Sequence, residues 1–217
     1  MKVILFGYYG FRNTGDEQLL DETIRLLKES SSHPNYIVAR GSYPLPFPTF
    51  KRTNYLAWIY YFWKSDAIIF GGGSIFQSQT SFYSLLYYLV IVQIAMIFRV
   101  KVILLCQGWG PFKSRYHQHL ATRILSKPMV VRSWRDELAK SSFTNSKDHV
   151  FCDLTLLQNR DVEIEPLKSS KISLGISILQ NEFNTSLKQL RERYPDIDAH
   201  YIITQPDKNK QEHQEFL

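Results

Sequence analysis

The chain has 217 residues, 44% of them hydrophobic and 14% aromatic, which argues against a disordered chain and allows one large domain or one and a half ordinary ones. Its formal charge of +6 suits an anionic small substrate, an acidic glycan or an anionic membrane surface. With no helix-turn-helix, zinc-finger or RNA-recognition signature and no long basic run, nucleic acid is not expected as a partner.

The apolar run Lys2–Phe6 reads as a strand. No basic segment and cleavage site precede it, so a cytoplasmic location is expected. The turn Gly7-Tyr8-Tyr9-Gly10-Phe11-Arg12-Asn13-Thr14-Gly15-Asp16-Glu17 follows, then a helix over 16–29 with Leu20, Thr23, Ile24 and Leu27 on one face. This turn lacks the third glycine of a dinucleotide fingerprint, and Asp16-Glu17 stand where a phosphate-binding loop needs Lys and Ser/Thr. An acidic pair in the first helical turn suits the macrodipole and takes the place of a phosphate. The loop is therefore expected to receive hydroxyls or to shape a cleft.

A strand at 35–40 leads to a loop carrying Pro44, Pro46 and Pro48, then a helix at 54–64 and a strand at 66–70 ending in Gly71-Gly72-Gly73. Phe82 to Phe98 is apolar but short of the roughly twenty residues a spanning helix needs. Bracketed by the glycine loop and the next strand, it reads as a buried crossover helix within 80–98. The aromatic runs Tyr55–Trp63 and Phe82–Tyr88 leave a peripheral membrane contact open.

A strand at 101–106 runs into Gln107-Gly108-Trp109-Gly110-Pro111, followed by a helix at 114–126. Next come a strand at 129–132, the step Arg135-Asp136-Glu137 opening a short helix at 135–140, and a strand at 149–152. The two cysteines, Cys106 and Cys152, each end an apolar run and read as buried thiols rather than a disulfide framework. This alternation predicts an α/β fold, a parallel sheet with helices on both faces, whose strand-end loops share one cleft. A polar linker is expected at 158–170, separating a first lobe at 1–157 from 171–217. The latter holds one βαβ unit: a strand at 172–178, a helix near 184–193 and a strand at 200–204.

Several residues draw attention at the strand ends. Asn13 and Asp16 either cap the helix or face a ligand's hydroxyls, Asp16 then polarising or deprotonating one of them. Gly7, Gly10 and Gly15 supply turn geometry and close backbone approach. Gly71, Gly72 and Gly73 present backbone N–H groups beside a helix start, or else permit close strand–helix packing. Gln77 offers an amide that could hydrogen-bond a hydroxylated ligand, and Gln107 and Gly108 belong to a rigid turn. Arg135 offers a guanidinium fork for a carboxylate or phosphate, or pairs with Asp136. His117 and His119, two apart on a helix, point to different faces, and neither a metal site nor a cofactor is expected.

In order, the four strand-end motifs resemble the polysaccharide pyruvyl transferase family, which decorates bacterial cell-wall polymers. Its members are similar in carrying G-Y-[YF]-G-x-x-N-x-G-D-E, G-G-G-x-x-x-Q, Q-G-x-G-P and a V-R-D-like step. The family commonly has Asp after the Gln, where this chain has Ser78. The resemblance implies two Rossmann-like lobes in a GT-B-like arrangement, the second truncated here. It implies transfer of a pyruvyl group from phosphoenolpyruvate to a sugar as a ketal, on a glycan or lipid-linked saccharide at the inner face of the membrane. Asp16 and Arg135 would be catalytic, with Asn13, Gly15, Gly71, Gly72, Gly73, Gln77, Gln107 and Gly108 binding substrate. The family's second-lobe histidine, arginine and lysine have no match, so the chain alone is not expected to turn over. Two other readings stand beside this one: a glycosyltransferase using a nucleotide sugar, and a non-catalytic remnant that binds a glycan or a partner.

Overall fold

The computed structural model describes residues 1–31, 33–143, 148–156, 173–177 and 198–202. The strands are β1 (Lys2–Phe6), β2 (Asn35–Arg40), β3 (Thr49–Lys51), β4 (Ala67–Gly71), β5 (Lys101–Gln107), β6 (Val130–Trp134) and β7 (His149–Val150). Between them run α1 (Thr14–Ser30), α2 (Tyr55–Lys64), α3 (Phe82–Ile97), α4 (Arg115–Leu125) and α5 (Glu137–Ser141). All seven strands join one sheet in the order β3-β2-β1-β4-β5-β6-β7, and every pair is parallel. Two further strands, β8 (Ser173–Ser177) and β9 (Asp198–Ile202), pair in parallel with each other. The expected linker at 158–170 and helix near 184–193 lie outside the described residues.

Strand order reverses direction between β1 and β4, and an open parallel sheet leaves a crevice at such a point, beyond the strands' carboxyl ends. The alternation of side chains along each strand sorts the core into two layers. Val3 and Leu5 meet Leu20, Ile24 and Leu27 of α1 on one face. Ile4, Phe6, Ile68, Phe70, Val102 and Leu104 meet α2, α3 and α4 on the other. The expectation of helices on both faces therefore holds; among the described residues, α1 is the helix that covers its side of β1 and β2.

Three differences from the sequence reading bear on the site. Strand β3 was not anticipated, because it is only three residues long and directly follows a proline-rich loop. Cys106 is buried, but Cys152 is exposed beyond the end of β7, so the expectation of two buried thiols is corrected. In β5 the register against β6 shifts between Leu104 and Gln107, and Cys106 takes φ +48°. The Ser133 hydroxyl holds this bulge, accepting from the Cys106 N–H at 2.9 Å and donating to the Leu104 carbonyl at 3.1 Å. A bulge re-aims the residues that follow it, and Gln107 is the residue affected.

Candidate functional site at the sheet switch point

Asn13 caps α1, its side chain accepting from the Gly15 N–H at 3.2 Å, so its structural role is realised. Tyr9 folds beneath Gly7 into the core, where a Cβ on Gly7 would stand 2.3 Å from its ring. The Tyr9 hydroxyl donates to the Gly71 carbonyl at 3.1 Å, tying the first motif to the second across the switch point. A side chain at Gly71 would meet the Thr23 hydroxyl of α1 at 2.1 Å; that contact is why glycine ends β4.

Gly72 and Gly73 both take positive φ, +70° and +77°, and carry the chain over Leu19 toward Ser74. The expected helix start beside these glycines is absent: α3 begins at Phe82. The Gly72 N–H is already spent on the Leu105 carbonyl at 2.8 Å. The glycine loop therefore works by letting neighbours approach, and the reading of a helix-terminal anion cradle is corrected. At Gly73 that neighbour is Asp16, whose Oδ1 lies 3.6 Å from where a Cβ would stand.

Asp16 is half-buried in the first turn of α1. Burial raises its pKa to about 6, the Asn13 side chain opposes the rise, and the Glu17 charge adds to it. A carboxylate in this range exchanges protons near neutral pH, which suits a general base or acid. Because the native carboxyl holds its proton to higher pH than an unfolded aspartate, its ionisation costs stability as pH rises from about 4 to about 6. Asp16→Asn should therefore raise the melting temperature at pH 7.5 but not at pH 4, by a gain on the order of 1 kcal/mol. Equal effects at the two pH values would show that the carboxylate is unperturbed.

The third and fourth motifs meet at Ser74. Arg135, just past the end of β6, donates from Nη2 to the Ser74 hydroxyl at 3.1 Å and pairs through Nη1 with Asp153 at 3.3 Å. Asp136 is not its partner; it caps α5, accepting from the Ala139 N–H at 2.7 Å. The alternative of an Arg135–Asp136 pair is thus corrected: the partner is Asp153. Asp153 is itself oriented by Thr155, whose N–H and hydroxyl both donate to its other oxygen. A Cβ on Gly108 would lie 2.2 Å from the Ser74 Oγ and 2.9 Å from Arg135 Nη2, so glycine there lets the guanidinium reach across.

Gln107 braces two neighbouring strands. It is fully buried, and its amide donates to the carbonyls of Phe70 and Gly72, bracing the end of β4 against β5. Gln77 instead closes its own turn, donating to the Thr80 hydroxyl at 2.7 Å and accepting the Thr80 N–H at 3.2 Å. Ser78, in the position where the family commonly has Asp, is buried; its N–H donates to the Pro111 carbonyl at 3.0 Å and its hydroxyl accepts from the Lys113 N–H at 2.9 Å. The glycine loop and the Gln107–Pro111 turn are thereby one body.

These contacts enclose an open cavity of about 650 Å³ whose wall includes Ser74, Gln77, Thr80, Trp109, Arg135 and Leu138. Asp16, from the first turn of α1, and Arg135, from beyond β6, reach consecutive loop residues, Gly73 and Ser74. Asn13 and Gly15 belong to the α1 cap, and Gly71, Gly72 and Gly108 admit the close approach of Thr23, Leu19 and Ser74; these glycines and Asp16 lie outside the cavity's own lining. The sequence reading missed Ser74, Trp109 and Leu138; the signal for Ser74 was its place directly after the three glycines.

A model of one family, polysaccharide pyruvyl transferase, matches residues 13–215. The chain belongs to that family. No curated protein and no solved structure matches it significantly. The family match covers all four strand-end motifs from Asn13 onward, and so includes Asp16, the glycine loop, the Gln107–Pro111 turn and Arg135. Family membership makes this chain transferase-like in class, with a polysaccharide as acceptor.

Proposed function

We propose that the cavity beside Ser74 is where a pyruvyl group passes from phosphoenolpyruvate to two hydroxyls of one sugar. The observation that carries the reading is the approach of Asp16 and Arg135 to adjacent residues of one loop, within a chain of this family. Phosphoenolpyruvate has a carboxylate and a phosphate, and the half-exposed Arg135 fork, oriented by Asp153, can hold either bidentately. Asp16 supplies a carboxyl that burial brings into the working range for taking a proton from a hydroxyl.

In the proposed sequence, C3 of the enol ester is protonated and the cationic C2 is attacked by one sugar hydroxyl. The C2–O bond to phosphate then breaks, and the second hydroxyl adds to C2 to close the ketal. One proton ends on C3, giving a methyl group, and the other leaves with phosphate, so the two hydroxyl protons are accounted for. Arg135 stabilises the phosphate as it departs, and Asp16 receives a hydroxyl proton.

In an enzyme with both lobes, phosphate release from phosphoenolpyruvate should depend on an added glycan that presents two suitably placed hydroxyls, and should rise with pH through about 6 as Asp16 ionises. Colorimetric phosphate assay, with the ketal methyl group followed by proton NMR, measures both. Glycan-dependent release of a nucleotide from a nucleotide sugar, with none of phosphate from phosphoenolpyruvate, would assign the cavity to glycosyl transfer instead.

A further inference from the structure

Two surfaces outside the candidate site meet along one edge. The first is an apolar groove of about 490 Å³ between α2 and α3, lined by Tyr55, Trp58, Ile59, Tyr83, Val90 and Ile94. Around it Leu56 and Tyr83 are each 80% exposed, Ile97 77% and Trp63 75%. Their spacing is helical: Leu56, Ile59, Tyr60 and Trp63 form one outward stripe on α2, and Tyr83, Val90 and Ile97 form one on α3. Neither helix contains an Asp or Glu, and α3 contains no charged residue at all.

The second surface is a cavity of about 450 Å³ at the carboxyl ends of β1, β2 and β3, lined by Phe11, Arg40, Ser42, Lys51, Arg52 and Tyr87, among others. Its lining contains three cations and no carboxylate. Among the described residues, none of these three cations forms a salt bridge. Arg52 is held in place by neutral groups: its Nε donates to the Tyr87 hydroxyl at 3.1 Å, and its guanidinium lies 4.2 Å from that ring's centre. A positioned cation without a counter-charge calls for an anion, and phosphate matches its fork. Tyr55 and Tyr87 belong to both surfaces, so the anion site opens directly onto the apolar groove.

We propose that the α2–α3 face docks on an anionic phospholipid bilayer, with a lipid phosphate received between Arg40, Lys51 and Arg52. The exposed aliphatic and aromatic side chains enter the boundary between headgroups and acyl chains, and the cations take the phosphate layer. The chain's net charge of +6 adds a longer-range attraction of the same sign. Docked this way, the Gly7–Phe11 loop, which contributes Phe11 to the cation cavity, lies at the lipid surface. The proposal does not depend on the reaction assigned to the Ser74 cavity.

The test is co-sedimentation of the 217-residue chain with phosphatidylcholine vesicles, with and without phosphatidylglycerol. The chain should pellet with the anionic vesicles, and binding should weaken with added salt. Leu56→Asp/Ile59→Asp and, separately, Lys51→Glu should each reduce binding about tenfold or more. These three side chains are exposed, so circular dichroism and melting should match the parent chain. Equal binding with and without phosphatidylglycerol, or binding unaffected by these substitutions, would overturn the proposal. So would a dimer in analytical ultracentrifugation that Leu56→Asp/Ile59→Asp dissociates, because the apolar face would then belong to a second copy. Thermal stabilisation by inorganic phosphate that Lys51→Glu abolishes, without any vesicle binding, would make the cation cavity a free-anion site and overturn the proposal equally.

Discussion

In an enzyme with both lobes, Arg135→Lys should lower pyruvyl transfer by about a hundredfold or more while leaving the melting temperature nearly unchanged. The two effects separate because Arg135 is half-exposed and its Asp153 pair, at 3.3 Å, is the kind of partly solvated bridge that contributes about 0–1 kcal/mol. Lysine keeps the charge but loses the planar fork that holds Ser74, Asp153 and an incoming carboxylate or phosphate at once. Steady-state kinetics in phosphoenolpyruvate, alongside a thermal melt, reads both quantities. Near-parent turnover would return Arg135 to a purely architectural role, and a large loss of stability would show that its contacts hold the loop together.

The largest stability effect is expected at a different arginine. Arg132 and Asp148 are both buried and joined by two parallel hydrogen bonds of 2.9 Å, with the Trp134 indole donating to Asp148 at 2.8 Å. Asp148→Ala would strand the guanidinium in the core and remove the indole's partner, at a cost of about 3–5 kcal/mol. Against the roughly 5–15 kcal/mol that typical domains possess, that loss brings the chain close to unfolding. Replacing both members by apolar residues should recover much of it, because the desolvation of two charges is then no longer required. Urea denaturation of the single and double variants checks the pair. A single variant within about 1 kcal/mol of the parent would mean that water reaches the guanidinium.

Much of the candidate site was legible before any coordinates. Strand, glycine turn and helix repeat along the chain, and parallel βαβ topology sends each strand-end loop to the same edge of the sheet, so Asp16, Gly72, Gly108 and Arg135 were expected together. The first α-helix was equally clear, with its cap at Asn13 and one apolar face. The division of labour among these residues was not. For Gln107 the sequence offered a rigid turn beside a binding role, and only the bulge in β5 showed its amide aimed at two backbone carbonyls. Strand β3 hid behind Pro48, and without it Arg40, Lys51 and Arg52 had no reason to meet.

By itself the sequence determined the fold class and family, because hydrophobic periodicity sets which elements form and glycines at strand ends mark where the backbone must turn tightly. The tertiary structure alone decided which charges meet. Arg132 with Asp148, and Arg135 with Asp153 rather than Asp136, are pairings across loops and between strands. Residues sixteen or eighteen positions apart carry no periodic signal of contact. It also decided that Asp16 lies beside Gly73 with its ionisation shifted upward, since desolvation depends on everything that surrounds a carboxylate and not on its neighbours in the chain.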